Sequence, residues 1–291
     1  MTLCEYLDLW LETYIDPKRA ENTGRAYRFA LAHLSPEIRR TELHELTPLH
    51  LQKEINQLAA VYSRQAQIMY TGLRAALKKA VRLDLLDASP MEKVEPPEHE
   101  KREIETLEPD EAAAYIQEAR RQPAGALLIL MLCLGLRRNE ARGLRFDDLD
   151  ADGILHIRHQ RTRTGLARLK SRASRREIPV PAALRAFFDG ANGEFVVNVS
   201  EKSLRTQHLR VLAAIGVDRR ITLHGLRHTC ATMAVEDGVQ LATVQHLLGH
   251  AHYSLTADVY VHPDLRSLAR CTDVLFGSFW HQPPGARLEI V

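Results

Sequence analysis

The sequence predicts a mainly α protein with a small antiparallel β-sheet, and three observations carry that reading. Apolar residues recur at helical spacing through residues 1–90. A charged, proline-containing stretch then separates this part from a second helical region. Two strand-like stretches lie between Gly153 and Pro181 inside that second region. A chain of 291 residues exceeds one typical core and suits two domains.

Taken in order, Thr2 and Glu5 form a capping-box pair, followed by Leu3, Leu7, Trp10, Leu11 and Tyr14 at helical spacing. A second helix is expected over residues 23–34, with Ala26, Phe29, Ala30 and Leu34 inward. Thr47 and Pro48 read as N-cap and N1 of a third, whose apolar face is Leu51, Ile55, Leu58 and Tyr62. A fourth starts near Ser63 and carries Ala66, Met69, Leu73, Leu77, Ala80 and Val81 on one stripe. Arg64, Arg74, Lys78, Lys79 and Arg82 line its other face, either as a solvated surface or as a DNA-facing one. The run MEKVEPPEHEKREIE places a linker at residues 91–106. Beyond it, Pro109 opens another helix, and the continuous apolar run Ala126–Leu134 reads as a fully buried one.

Ile154–Ile157 and Arg176–Val180 are strand-like, with a turn at Gly165 between them. Further helices are expected at 203–215, 223–237 and 241–248, ending at Gly216, Gly238 and Gly249. Residues 264–279 read as one more helix. It opens an apolar C-terminal segment, 264–291, expected to dock on a neighbouring protomer rather than on its own domain.

Composition narrows the function. The chain is 45% hydrophobic and 26% charged, an ordinary globular balance. No apolar run approaches the ~20 residues of a membrane span, and no secretory signal is visible, so a cytoplasmic protein without a membrane partner is expected. Cys4, Cys133, Cys230 and Cys271 lack pair spacing and read as buried, reduced thiols. A formal net charge of +2 does not announce a nucleic-acid partner, so local charge has to carry that argument.

Four fragments carry chemistry. In GLRRNE, Arg137 follows a buried helix with Glu140 one turn on; alone, this fits a structural ion pair. In LHGLRHTCA, His224 and Arg227 share a helical face and can reach one phosphate. In VQHLLGHAHYSLTADVYVH, His250 precedes Tyr260, whose hydroxyl at a free pKa of ~10 needs cationic neighbours to act as a nucleophile. In LKSRASRREIPV, Lys170 sits in the densest basic stretch of the chain, among Arg158, Arg161, Arg163, Arg168, Arg172, Arg175 and Arg176. So much like charge repels itself without an anionic partner. Spacing of His246 and His250 is also metal-like, but only Asp258 lies near as a further ligand, and no metal is expected.

Each fragment is modest alone, but their order and spacing over residues 107–262 resemble the tyrosine recombinase (phage integrase) family. The helical N-terminal part is similar to that family's SAM-like core-binding domain. The resemblance implies a core-binding domain at 1–90, the linker, a mixed α/β catalytic domain at 107–263 and the tail. It also implies that Arg137 and Arg227 bind the scissile phosphate, supported by Glu140. By the same resemblance Lys170, on a β-hairpin, protonates the departing 5′ oxygen. His224 assists proton transfer, His250 hydrogen-bonds the phosphate, and Tyr260 attacks phosphorus to leave a 3′-phosphotyrosyl link.

No cofactor is implied, because two guanidiniums, an ammonium and two imidazoles supply the charge stabilisation that phosphoryl transfer needs. The implied partner is double-stranded DNA at attachment or recombination sites. A homotetramer on two sites is implied too, with accessory DNA-bending or directionality proteins. Arg64, Arg74, Lys78, Lys79, Arg161, Arg163, Arg168, Arg172 and Arg175 are the candidate DNA contacts. The sequence departs from the family at Gly225, where Asp is commoner, and shows no arm-binding domain before residue 2. An integrase is the leading reading; a chromosome-dimer resolvase and a catalytically inactive DNA binder are the alternatives.

Overall fold

Helices form almost wherever the sequence supplies a cap, and they gather into two separate cores. The computed structural model describes residues 1–17, 21–98, 103–169, 174–189, 195–249 and 265–279. By contact the chain divides into Met1–Arg102 and Glu103–Val291.

In the first unit, α1 (Leu3–Trp10) begins at the Thr2/Glu5 capping box and continues into one π-helical turn, Leu11–Ile15. Helices α2 (Glu21–Leu31), α3 (Pro36–Arg40) and α4 (Pro48–Val81) follow. Thr47 caps α4 through the His50 amide, and Pro48 occupies the first turn. Tyr62 has non-helical backbone (φ −137°, ψ 73°) and kinks α4 where the sequence suggested a break between two helices.

Two inward assignments fail here. Tyr62 is exposed because the kink turns it out toward His33. Phe29 is exposed and packs edge-on to His33, because α2 faces the core with Ala30 and Leu31 instead. Tyr27 covers Gly72 of α4, where an added Cβ would lie 3.1 Å from the ring. Met91 and Val94, assigned above to the linker, are buried in this core, and the Gln52 side chain bonds the Glu95 backbone amide and carbonyl. Cys4 is half-buried rather than buried.

The second unit wraps helices around α6 (Gly125–Cys133), nearly every residue of which is buried. Around it stand α5 (Pro109–Ala119), the short α7 (Arg138–Ala141) and α8 (Ala182–Arg185), then α9 (Glu201–Ala214), α10 (Leu223–Glu236), α11 (Leu241–Leu248) and α12 (Leu265–Phe279). Strand β1 (Ile154–Ile157) pairs antiparallel with β4 (Arg176–Pro179) in the register Ile157↔Arg176. The basic stretch between them forms its own hairpin, β2 (His159–Thr162) with β3 (Gly165–Arg168), which the residues alone showed only as a turn and the family resemblance implied. Helix α12 buries Leu268, Cys271 and Leu275 in its own unit's core. Residues 280–291 lie outside the described residues. Among the described residues no helix is long and apolar enough to cross a membrane.

One buried polar contact in this core has a measurable signature. His208 on α9 is 1% exposed; its Nε2 meets the Ile221 carbonyl at 3.0 Å and its Nδ1 meets the Tyr115 hydroxyl at 2.7 Å. A carbonyl only accepts, so Nε2 carries a proton. Burial favours the neutral ring, in which Nδ1 accepts from Tyr115, and pushes its pKa below the ordinary value. The unfolded chain takes up a proton at His208 near pH 6.5, the folded chain only at lower pH. Stability from this group is thus complete above about pH 6.5 and declines as pH falls below it. Denaturant unfolding between pH 7.5 and 5.5 should show wild type losing stability faster than His208→Gln; equal slopes refute it.

Candidate active site

Three arginines and one glutamate converge on the C-terminus of α11. Cys133 ends α6, and Gly135 turns the chain in left-handed backbone (φ 60°) so that Arg137 can cap α7. The positive φ favours glycine at 135, and an added Cβ would press on the tip of the Leu248 side chain at 2.4 Å. Arg137 then donates to Glu140 at 2.7 Å and to the Gly249 carbonyl at 2.7 Å.

Arg227, on α10, is 2% exposed and donates to the carbonyls of Gly135 at 2.7 Å and Leu248 at 2.5 Å. Arg176, from β4, donates through Nε to the Leu247 carbonyl at 2.6 Å and through Nη2 to Glu140 at 2.9 Å. Three successive carbonyls, of residues 247, 248 and 249, thus each hold a different guanidinium. They are helix-end acceptors that the helix itself leaves unbonded, at the negative end of its dipole. Gly249, in left-handed backbone, ends α11.

Electrostatics follow from the imbalance. Glu140 is buried, which raises its pKa, yet Arg176 and Arg137 outweigh that and hold it below the usual carboxylate range. Arg227 is pushed down to about 9, first by burial and then by Arg137 and Arg176. It stays charged at neutral pH, but the three guanidiniums share one carboxylate and repel one another. An anion at this place would relieve that. His224 stands exposed one turn before Arg227, its ring 4.7 Å from that of His228 at an interplanar 79°. His228 has its pKa lowered by burial and by Arg227. Gly225 has a local reason: an added Cβ would sit 3.0 Å from the Glu105 carbonyl oxygen, so Asp could not occupy this position unchanged.

The structure therefore brings together Arg137, Glu140 and Arg227, with His224 one turn from Arg227 on α10. Lys170, Arg172, His250 and Tyr260 lie outside the described residues. Of the basic candidates, Arg163, Arg168 and Arg175 are exposed around the β2–β3 hairpin, whereas Arg161 is half-buried on Asn198 (2.7 Å) and the Phe195 ring. On α4, Arg64, Arg74 and Lys78 are exposed, and Lys79 lies over the Tyr14 ring at 4.6 Å. Among the described residues no His, Cys, Asp and Glu group could hold a metal.

Arg176 and His228 were missed as site residues. Arg176 was readable: strand alternation puts residues 176, 178 and 180 on one face, and Ile178 and Val180 mark that face as the buried one.

Comparison with known proteins adds a second line. Residues 105–266 match the phage integrase family, and residues 2–59 match the phage integrase N-terminal SAM-like domain. Tyrosine recombinase XerC of Pseudomonas syringae pv. syringae (strain B728a) is 28% identical over 290 residues, covering 92% of this chain and 95% of the relative. Among solved structures, the Tn1549 transposon integrase in complex with circular intermediate DNA aligns with TM-score 0.72 and 16% identity, covering 92% of this chain and 97% of that one. The lambda integrase tetramer bound to a Holliday junction aligns with TM-score 0.69 and 18% identity, covering 90% and 81%. At those identities the structures establish the fold.

The buried ion cluster sets an expectation for stability. Removing Glu140 leaves Arg176 buried without a counterion, which commonly costs about 3–5 kcal/mol. Urea unfolding of Glu140→Ala should show a loss of that order; a loss below about 1 kcal/mol would mean that Arg176 finds its compensation elsewhere.

Proposed function

The chain belongs to the phage integrase family, and from that premise we infer that it is a tyrosine-type site-specific DNA recombinase, which cleaves and rejoins DNA strands. The observation that carries the reading is the excess of positive charge where Arg137 and Arg227 meet. The family resemblance implies that both bind one phosphate, and both donate to carbonyls at one helix end, near a single carboxylate.

In the chemistry we propose, Arg137 and Arg227 neutralise the non-bridging oxygens of the scissile phosphate. Glu140 holds Arg137 in place. The Tyr260 oxygen attacks phosphorus, the bond to the 5′ oxygen breaks, and Lys170 supplies the proton to that leaving oxygen. His224 takes up the tyrosyl proton, and His250 hydrogen-bonds the phosphate. The product is a 3′-phosphotyrosyl enzyme with a free 5′ hydroxyl. Bond energy is retained in this link, so rejoining needs no nucleotide cofactor. Fixed charges act here with little reorganisation, which favours the metaphosphate-like transition state over the ground state.

Double-stranded DNA is the proposed substrate, contacted by the exposed arginines of the β2–β3 hairpin and by Arg64, Arg74 and Lys78. Assembly as a tetramer on two sites, help from accessory DNA-bending proteins and a cytoplasmic location complete the proposal. The division into a core-binding part and a catalytic part belongs to it as well. A chromosome-dimer resolvase is the second reading, favoured by the XerC relatives that align along nearly the whole chain. DNA flanking the gene separates the two, because an integrase gene often lies beside its own attachment site.

A nicked suicide substrate tests the chemistry directly. Wild type should form a covalent adduct, and Tyr260→Phe should form none while binding DNA almost as tightly. Adduct formation by that variant would remove Tyr260 as nucleophile. Arg137→Ala and Arg227→Lys should each slow cleavage on the order of 10²–10³-fold. Slowing by Lys170→Ala should be relieved by a substrate with sulfur at the 5′ bridging position, which leaves without a proton. Equal relief of Arg137→Ala with none for Lys170→Ala would show that the acid is another group.

A further inference from the structure

Arg176 is unlike the other arginines of the basic stretch. Its side chain is 1% exposed, so it cannot contribute to a DNA-facing surface. One guanidinium joins its own segment to two distant parts of the second unit. Nη2 holds Glu140 at 2.9 Å, Nε holds the Leu247 carbonyl at 2.6 Å, and Nη1 holds the Ser174 carbonyl at 3.1 Å. Each contact is the root of a different candidate catalytic group. Glu140 orients Arg137 through a 2.7 Å hydrogen bond. Leu247 lies three residues before His250, and Ser174 four residues after Lys170.

We infer that Arg176 is a positioning residue for strand cleavage. Its guanidinium locks the Arg137–Glu140 pair, the end of α11 and the Ser174 carbonyl into one mutual geometry, without touching the phosphate. The inference rests on the assignment of Arg137, Lys170, His250 and Tyr260 to the reaction. Three facts favour this role over that of a simple counterion. Glu140 already has Arg137 as a partner, so charge balance does not require a second arginine. Burying a guanidinium is costly unless its donors are satisfied, and here all three kinds of nitrogen are used, in three directions. A lysine has one ammonium on a flexible stem and cannot hold a fork of this kind. Cleavage depends on sub-ångström placement of several charges, so loosening one bracket affects the rate more than DNA affinity.

The test uses the full chain, a half-site duplex and a nicked suicide substrate, at a temperature well below the melting point of each variant. Arg176→Lys keeps the charge opposite Glu140 and loses the fork. Its single-turnover rate of adduct formation at saturating DNA should fall on the order of 10–100-fold, the usual cost of removing a group that orients a site. Its half-site Kd should stay within about threefold of wild type. Glu140→Asp, whose shorter carboxylate cannot span Arg137 and Arg176 together, should show the same split. The double variant should be little slower than either single one.

A wild-type rate in Arg176→Lys overturns the inference, and so does an equal fold-loss in rate and affinity, which a merely structural role would give. Should Arg176→Lys fail to fold, Glu140→Asp decides on the same two readouts. Wild type and Tyr260→Phe run alongside. If wild type forms adduct and Tyr260→Phe does not, the recombinase assignment stands and a failure belongs to Arg176 alone. If wild type forms none, the assignment falls and this inference with it.

Discussion

The second unit depends on how the end of α11 is held. A helix leaves its last carbonyls without partners, and water or a cap normally satisfies them. Here three guanidiniums do so, from β4, from α10 and from the turn after α6. Buried arginines are tolerable only when their donors are filled, and buried carbonyls only when something donates to them. Each set solves the other's problem. The arrangement also forces four elements into register, because a shift of any one by a fraction of an ångström would leave a charged donor without its acceptor. Gly135, in left-handed backbone, makes the turn whose own carbonyl accepts from Arg227.

The same hydrogen bonds leave the group electrostatically unfinished. Carbonyl dipoles and one carboxylate satisfy donors but do not neutralise three cations; the Arg227 pKa is depressed first by burial and then by Arg137 and Arg176. The phosphodiester proposed above would carry the missing negative charge. In that proposal, folding and anion recognition share one set of residues. Sites of this sort trade stability for preorganisation.

Much of this was legible in the sequence because caps and periodicity are local properties. Thr2 with Glu5, Thr47 with Pro48, and Gly216, Gly238 and Gly249 mark helix ends by interactions within a few residues. Motif order located Arg137, Glu140 and Arg227 for a different reason, since their types and spacing are those of a known family. What escaped was decided by tertiary context. Phe29 and Tyr62 lie at positions a helical wheel would bury, but the kink in α4 and the proximity of His33 turned both outward. Met91 and Val94 look too sparse for a core element, yet they close the first unit's core. Arg176 was hidden by its company: in a run of arginines every member looks solvated, and only strand alternation singles out the one that points inward.

The chain beyond the nucleophile candidate meets a similar constraint. Residues 250–264 run from Gly249, whose carbonyl Arg137 holds, to α12, whose Leu268 and Leu275 are buried in the same unit. Withdrawing α12 to serve a neighbour would expose those two leucines, at about 3–6 kcal/mol before any new contact formed.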